Sequence, residues 1–189
     1  MARYYLAWTL AARGEHEDAI AQGTWLLEDA RVLSDTGRER WARTVLAYAY
    51  LLRGDLDAAE GEVLAFLALG QPTPLEHAEA LATLAAIRLA QGRVAEALAA
   101  SQEALGRVEA GRARALRDPF IRLVHVDALT ASGDRAAADA ALTIARDRLL
   151  ATASRIPDAS LCRSFLEDVP ENARTIDLAR ERLGEVGGT

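Results

Sequence analysis

The sequence contains no lysine; its 22 basic residues are all Arg, a bias that GC-rich coding explains, since Arg, Ala and Gly codons are GC-rich. Those arginines are interleaved with 28 acidic residues and the net charge is -6. The clustered positive charge that a phosphate backbone demands is missing, which excludes nucleic acid as a partner. One cysteine, Cys162, rules out an intrachain disulfide and predicts a reducing, cytoplasmic setting. No apolar run approaches the roughly 18 residues of a membrane span, so no membrane is expected as a partner. The start, Met-Ala-Arg-Tyr-Tyr-Leu-Ala-Trp, lacks the apolar stretch and cleavage pattern of a signal peptide. Aromatics make up only 5% and prolines number 5, too little β-forming and turn chemistry for a sandwich or barrel.

What is abundant is Ala, Leu, Arg and Glu, all strong helix formers, and the composition predicts an all-α chain. Hydrophobic residues reach 51%, enough for a continuous core. Much of that is Ala, which packs helices closely but buries little area per residue. Stability should then come from many helix–helix contacts rather than one large apolar centre.

A repeat organises the chain. Gly14, Gly54, Gly92 and Gly133 stand 40, 38 and 41 residues apart, and each follows an apolar helical run. Five residues after each comes Ala: Ala19, Ala59, Ala97 and Ala138. Eight residues before come Leu6, Leu46 and Leu84, each followed by Ala, with His125-Val126 as the departure in the fourth unit. The Gly closes a first helix in a left-handed conformation, and a second helix begins within one or two residues. Small residues such as Ala47 and Ala59 let the two backbones approach. Such a pair cannot bury both faces alone, so neighbours must stack.

This pattern resembles the tetratricopeptide (TPR) family over roughly residues 1–150, with Trp8 and Ala19 kept in the first unit and Tyr50 and Ala59 in the second. The unit is nearer 40 residues than 34 and mostly lacks the helix-ending Pro, as in the long-repeat arrays of bacterial signalling proteins. The string Ser164-Phe-Leu-Glu-Asp-Val-Pro-Glu-Asn-Ala-Arg174 is similar to the segment that closes TPR regions attached to large bacterial Ser/Thr kinases and ATPase-type regulators. The resemblance implies an α-solenoid of antiparallel helix pairs, a right-handed superhelix, with C-terminal capping helices. It also implies a protein-binding scaffold, a sensor or regulatory segment of a signalling protein.

The spacing predicts helix pairs at about 2–13 with 16–34, 38–53 with 56–69, 74–91 with 94–114, and 119–132 with 135–154. The four pairs fill residues 1–155, capping helices fill 156–184, and a frayed tail occupies 185–189. Thr73-Pro74 and Asp118-Pro119 read as N-cap plus first-turn proline. Asp158 reads as the cap of a short helix through Glu167, and Pro170 opens a last helix to about Leu183. Phe165, Leu166, Ile176 and Leu183 are expected to cover the last repeat. The repeat is already under way at residue 1, which predicts an apolar N-terminal end that continues from preceding chain or pairs with something else.

Chemistry is harder to find. His16, His77 and His125 fall in separate repeats without metal-ligand spacing; the first two should be exposed and the third, where the repeat places Leu, buried or half-buried. Cys162 has no identifiable base and reads as a small core residue. There is no P-loop, Gly-x-Ser-x-Gly, His-Glu-x-x-His or Gly-x-Gly-x-x-Gly. No enzyme activity, cofactor or metal is expected.

The resemblance implies instead a concave groove lined by the first helix of each pair. Residues ten, six and three before each turn Gly would face it: Tyr4, Trp8 and Ala11; Thr44, Tyr48 and Leu51; Ala82, Ala86 and Leu89; Leu123, Asp127 and Thr130. One turn earlier stand Trp41, Glu79 and Phe120. An aromatic groove of this kind suits an apolar peptide, an amphipathic helix or a neighbouring domain, and the same aromatics would equally serve as packing between helices. The TPR domains that hold C-terminal carboxylates use Lys, Asn and Arg on these helices, whereas the matching places here hold Tyr4, Trp8, Val45, Glu79 and Thr83, which argues against an acidic peptide tail. Two further readings stay open: a homodimer through Tyr4, Tyr5 and Trp8 at the N-terminal end, or a small-molecule sensor at the aromatic end of the groove.

Overall fold

The computed structural model describes residues 2–70, 72–111 and 117–184. Among them it is all helix: α1 (Ala2–Ala12), α2 (His16–Val32), α3 (Thr36–Arg53), α4 (Leu56–Ala68), α5 (Pro74–Ala90), α6 (Val94–Ala110), α7 (Asp118–Ala131), α8 (Arg135–Ala153), α9 (Ala159–Glu167) and α10 (Pro170–Leu183). These helices fall within a few residues of the spans that the repeat predicts. The expected tail, 185–189, and the end expected for the sixth helix, 112–114, lie outside the described residues.

Local chemistry sets the boundaries. Gly54 ends α3 at φ 91°, where its amide and the next one turn back onto Leu51 and Tyr50 carbonyls, a conformation that costs a residue with a Cβ. Asp35, Asp134 and Asp158 each accept backbone amides at a helix start, and Thr73 with Glu76 forms a reciprocal capping box behind Pro74. Asp118, expected as a cap, is instead the first residue of α7: Arg117 takes the N-cap place, and Asp118 turns to pair with Arg122 one helical turn on, at 3.1 Å.

The helices pack mainly in chain order. Each first helix packs against its own second helix, and α3, α5 and α7 also pack against the second helix of the pair before; α1, α3, α5 and α7 touch in succession as well. The repeat positions explain the closeness. The residue seven before each turn Gly (Ala7, Ala47, Ala85, Val126) and the Ala five after it (Ala19, Ala59, Ala97, Ala138) are all buried. Leu46 and Leu84, eight before, keep 2% and 3% of their surface, whereas Leu6 keeps 47%, with no described helix packed on it from the N-terminal side.

At the other end α10 lies on α7 and α8, with α9 beside it. Leu178, Leu183 and Ala179 pack against Val126 and Leu142. Of the four residues expected to form the cap, Leu183 belongs to this cluster, while Phe165, Leu166 and Ile176 are half-buried outside it. Cys162 is half-buried, its Sγ 3.6 Å from the Ala153 carbonyl oxygen. His16 and His77, expected to be exposed, are both half-buried, because each lies in the first turn of a helix flanked by others. No described helix is long and apolar enough to cross a membrane.

Candidate binding groove

Because α1, α3, α5 and α7 succeed one another on one side, side chains from different pairs meet there. Trp8 of α1 and Tyr48 of α3 stack with centroids 4.3 Å apart and planes tilted 32°. Tyr4 meets Trp8 edge-on at 6.2 Å and Trp41 at 6.1 Å, spacings at which ring quadrupoles attract. Burial raises the pKa of the Tyr4 and Tyr48 hydroxyls.

Phe120 enters from α7, and with it Arg117. The Arg117 carbonyl accepts the Ile121 amide at 3.1 Å and so fixes the residue at the start of α7. Its side chain reaches back across the array. The guanidinium carbon lies 3.9 Å from the Phe120 ring centre, 4.7 Å from that of Trp8 and 5.1 Å from that of Tyr48, within cation–π range of all three. One cation thus joins the first, second and fourth pairs. The third contributes Glu79, half-buried on α5, whose carboxyl is pushed above the usual range by burial. The charge and backbone amide of Arg117 oppose that rise. Arg117 Nη1 is enclosed without a hydrogen-bond partner among the described residues.

Five of the eight residues expected to bind a partner, Tyr4, Trp8, Trp41, Tyr48 and Glu79, therefore fall in or beside one constellation. The other three lie elsewhere. Thr44 is half-buried, donates its hydroxyl to the Arg40 carbonyl and lines a small crevice with Val63 and Phe66. Leu51 packs on the core between the second and third pairs, and Leu89 on Ala85, Ala100 and Val124. Ala11, Ala82 and Leu123 are buried. In the fourth pair the chain's own last helix is present: Asp127 pairs with Arg174 at 3.2 Å, and Thr130 accepts from Arg182 at 2.8 Å. Arg117 is the member that the sequence pattern did not single out. It stands three residues before Phe120, so one more turn along the row of Trp41, Glu79 and Phe120 would have reached it.

A second concavity of about 540 Å³ opens at the N-terminal end, lined by Tyr4, Trp25, Leu26, Asp29, Arg38 and Trp41 among others. Above it the Arg3 guanidinium sits 3.9 Å over the Trp25 ring.

No protein-family model matches the chain, and no curated protein matches it.

Proposed function

We propose that this chain is a TPR-like protein-interaction scaffold, a non-catalytic sensor or regulatory segment of a bacterial signalling protein. Its partner would be a peptide or neighbouring domain held on the face of α1, α3, α5 and α7. The observation that carries the reading is the convergence of Trp8, Tyr48 and Phe120 from three different helix pairs onto one point. Trp8 and Tyr48 stack between adjacent pairs, and the Arg117 guanidinium brings Phe120 of the fourth pair to the same place, which supports a surface assembled from several pairs, as on other stacked-repeat binders. A displayed random-peptide library tests it: wild type should retain a defined set of sequences that a Trp8→Ala/Tyr48→Ala double variant, still helical and cooperative in melting, loses. Equal retention by both proteins would end the proposal.

A second reading has its own observation. Tyr5, Leu6, Trp25 and Trp41 leave more than a third of their surface exposed at the N-terminal end, an apolar face suited to a second copy of the chain. Sedimentation over a range of concentrations separates the two, since a strict monomer that still binds peptide leaves only the groove.

A further inference from the structure

The constellation in the groove has a definite chemical preference. Three ring faces surround one point, and the acid brought beside it, Glu79, makes the surroundings electronegative. A flat cation suits such a place, because ring faces carry negative potential and a guanidinium stacks as well as attracts. The occupant the structure shows is a guanidinium, that of Arg117. Its Nη1 is enclosed and makes no hydrogen bond with any described residue, so no contact beyond the rings and the field of Glu79 is seen to hold that end. The backbone of Arg117 is anchored independently, through its carbonyl, which accepts the Ile121 amide at the α7 N-terminus. The side chain can therefore leave the rings without releasing that backbone contact.

We propose that the groove is a guanidinium-recognition site, occupied in the free protein by Arg117 as an internal substitute, and that its partner is an Arg-bearing segment whose side chain displaces Arg117. The proposal rests on the peptide-binding reading above and names the residue type which that reading leaves open. It also joins binding to a movement: the partner inserts its own arginine only when the Arg117 side chain swings out. Apparent affinity is then reduced by the fraction of time that Arg117 holds the site.

The test uses the full chain and a defined probe, N-acetylarginine methylamide, with its citrulline counterpart as the uncharged analogue of the same shape. Binding is read from the Trp8 indole N–H resonance, assigned with Trp8→Phe. The arginine probe should shift that resonance in Arg117→Ala at a concentration about tenfold lower than in wild type. The citrulline probe should shift neither protein, and adding Glu79→Gln to Arg117→Ala should weaken the response severalfold. Arg117→Gln, which keeps a stem to cover the rings, serves if Arg117→Ala fails to fold. Equal response of wild type and both Arg117 variants, no response in any of them, or an equal response to citrulline each overturns the proposal. So does a loss of binding in the Arg117 variants, which would make Arg117 part of the surface that meets the partner. If library peptides are still lost by the Trp8→Ala/Tyr48→Ala variant while these results are negative, the groove stands and only its guanidinium preference falls.

Discussion

Glycine plays opposite parts at two kinds of helical position in this chain. Gly61 in α4 and Gly106 in α6 are exposed, and a Cβ added at either meets nothing within 4 Å. At Gly23 in α2 an added Cβ would stand 2.7 and 2.8 Å from Cδ2 and Cγ of the buried Leu46. Gly61→Ala and Gly106→Ala should each stabilise by about 0.5–1 kcal/mol, the ordinary helix preference for Ala. Gly23→Ala gains the same preference but forces apart a packed joint, at about 1–3 kcal/mol, and should lower stability by roughly 1 kcal/mol net. Urea denaturation of the three variants checks the reversal of sign. A second single-residue prediction concerns His125, whose pKa burial lowers. A depressed histidine contributes stability above its unfolded pKa of about 6.5 and loses it as pH falls below that. His125→Gln should therefore flatten the stability–pH profile below about pH 6.5; His77, shifted the same way by burial, keeps part of the slope.

Between pairs the joints follow a rule of complementary size. The residue eight before a turn Gly meets the residue nine after the previous one: Leu46 against Gly23, Leu84 in one cluster with Val63, and His125 3.1 Å from the Ser101 hydroxyl. The repeat made the first half of each joint readable, since Leu6, Leu46 and Leu84 recur. The second half changes residue at every joint, so no recurring letter marked it. The departure at His125 made sense only with Ser101 opposite. Charge reinforces the joint between the second and third pairs. Glu60 of α4 accepts from Arg88 of α5 at 3.2 Å, from Gln91 at 3.1 Å and from Arg93 at 2.7 Å. Burial alone would raise its pKa, but these partners outweigh it and the net shift is downward. A depressed carboxyl contributes stability above its unfolded pKa and loses it as pH falls through the folded one. Glu60→Gln should cost about 1 kcal/mol at neutral pH, allowing for solvent screening. That deficit should shrink toward zero as pH falls below about 4.5, measurable by denaturant melts at both pH values.

Taken together, the helix order, the hairpin turns and the small-residue seams were readable from four glycines and their neighbours, because those positions answer to local backbone chemistry. Two features depend on which distant elements meet and were readable only in part. Arg117 lies one turn along the row of Trp41, Glu79 and Phe120, but its reach to Trp8 is not in the pattern. Of the four residues expected in the cap, Leu183 alone joins the cluster with Val126 and Leu142. The last described helix lies on α8 and α7. It lays Ala179 and Leu183 on Leu142 of α8 and Val126 of α7, and ties itself down through Arg182 to Asp139 at 2.6 Å and Asn172 to the Phe165 carbonyl at 2.8 Å. In a stack where each layer is stabilised by its neighbours, removing the last one costs one interface rather than the whole fold. A chain ending at residue 156 should keep the first three pairs and expose Leu142 and Val126, losing about 2–4 kcal/mol at that end. Hydrogen exchange should then rise in α7 and α8 and stay unchanged in α2 and α3, with new binding of a hydrophobic dye. Uniform loss of protection through all helices would mean instead that the array folds as one unit and that α10 holds all of it.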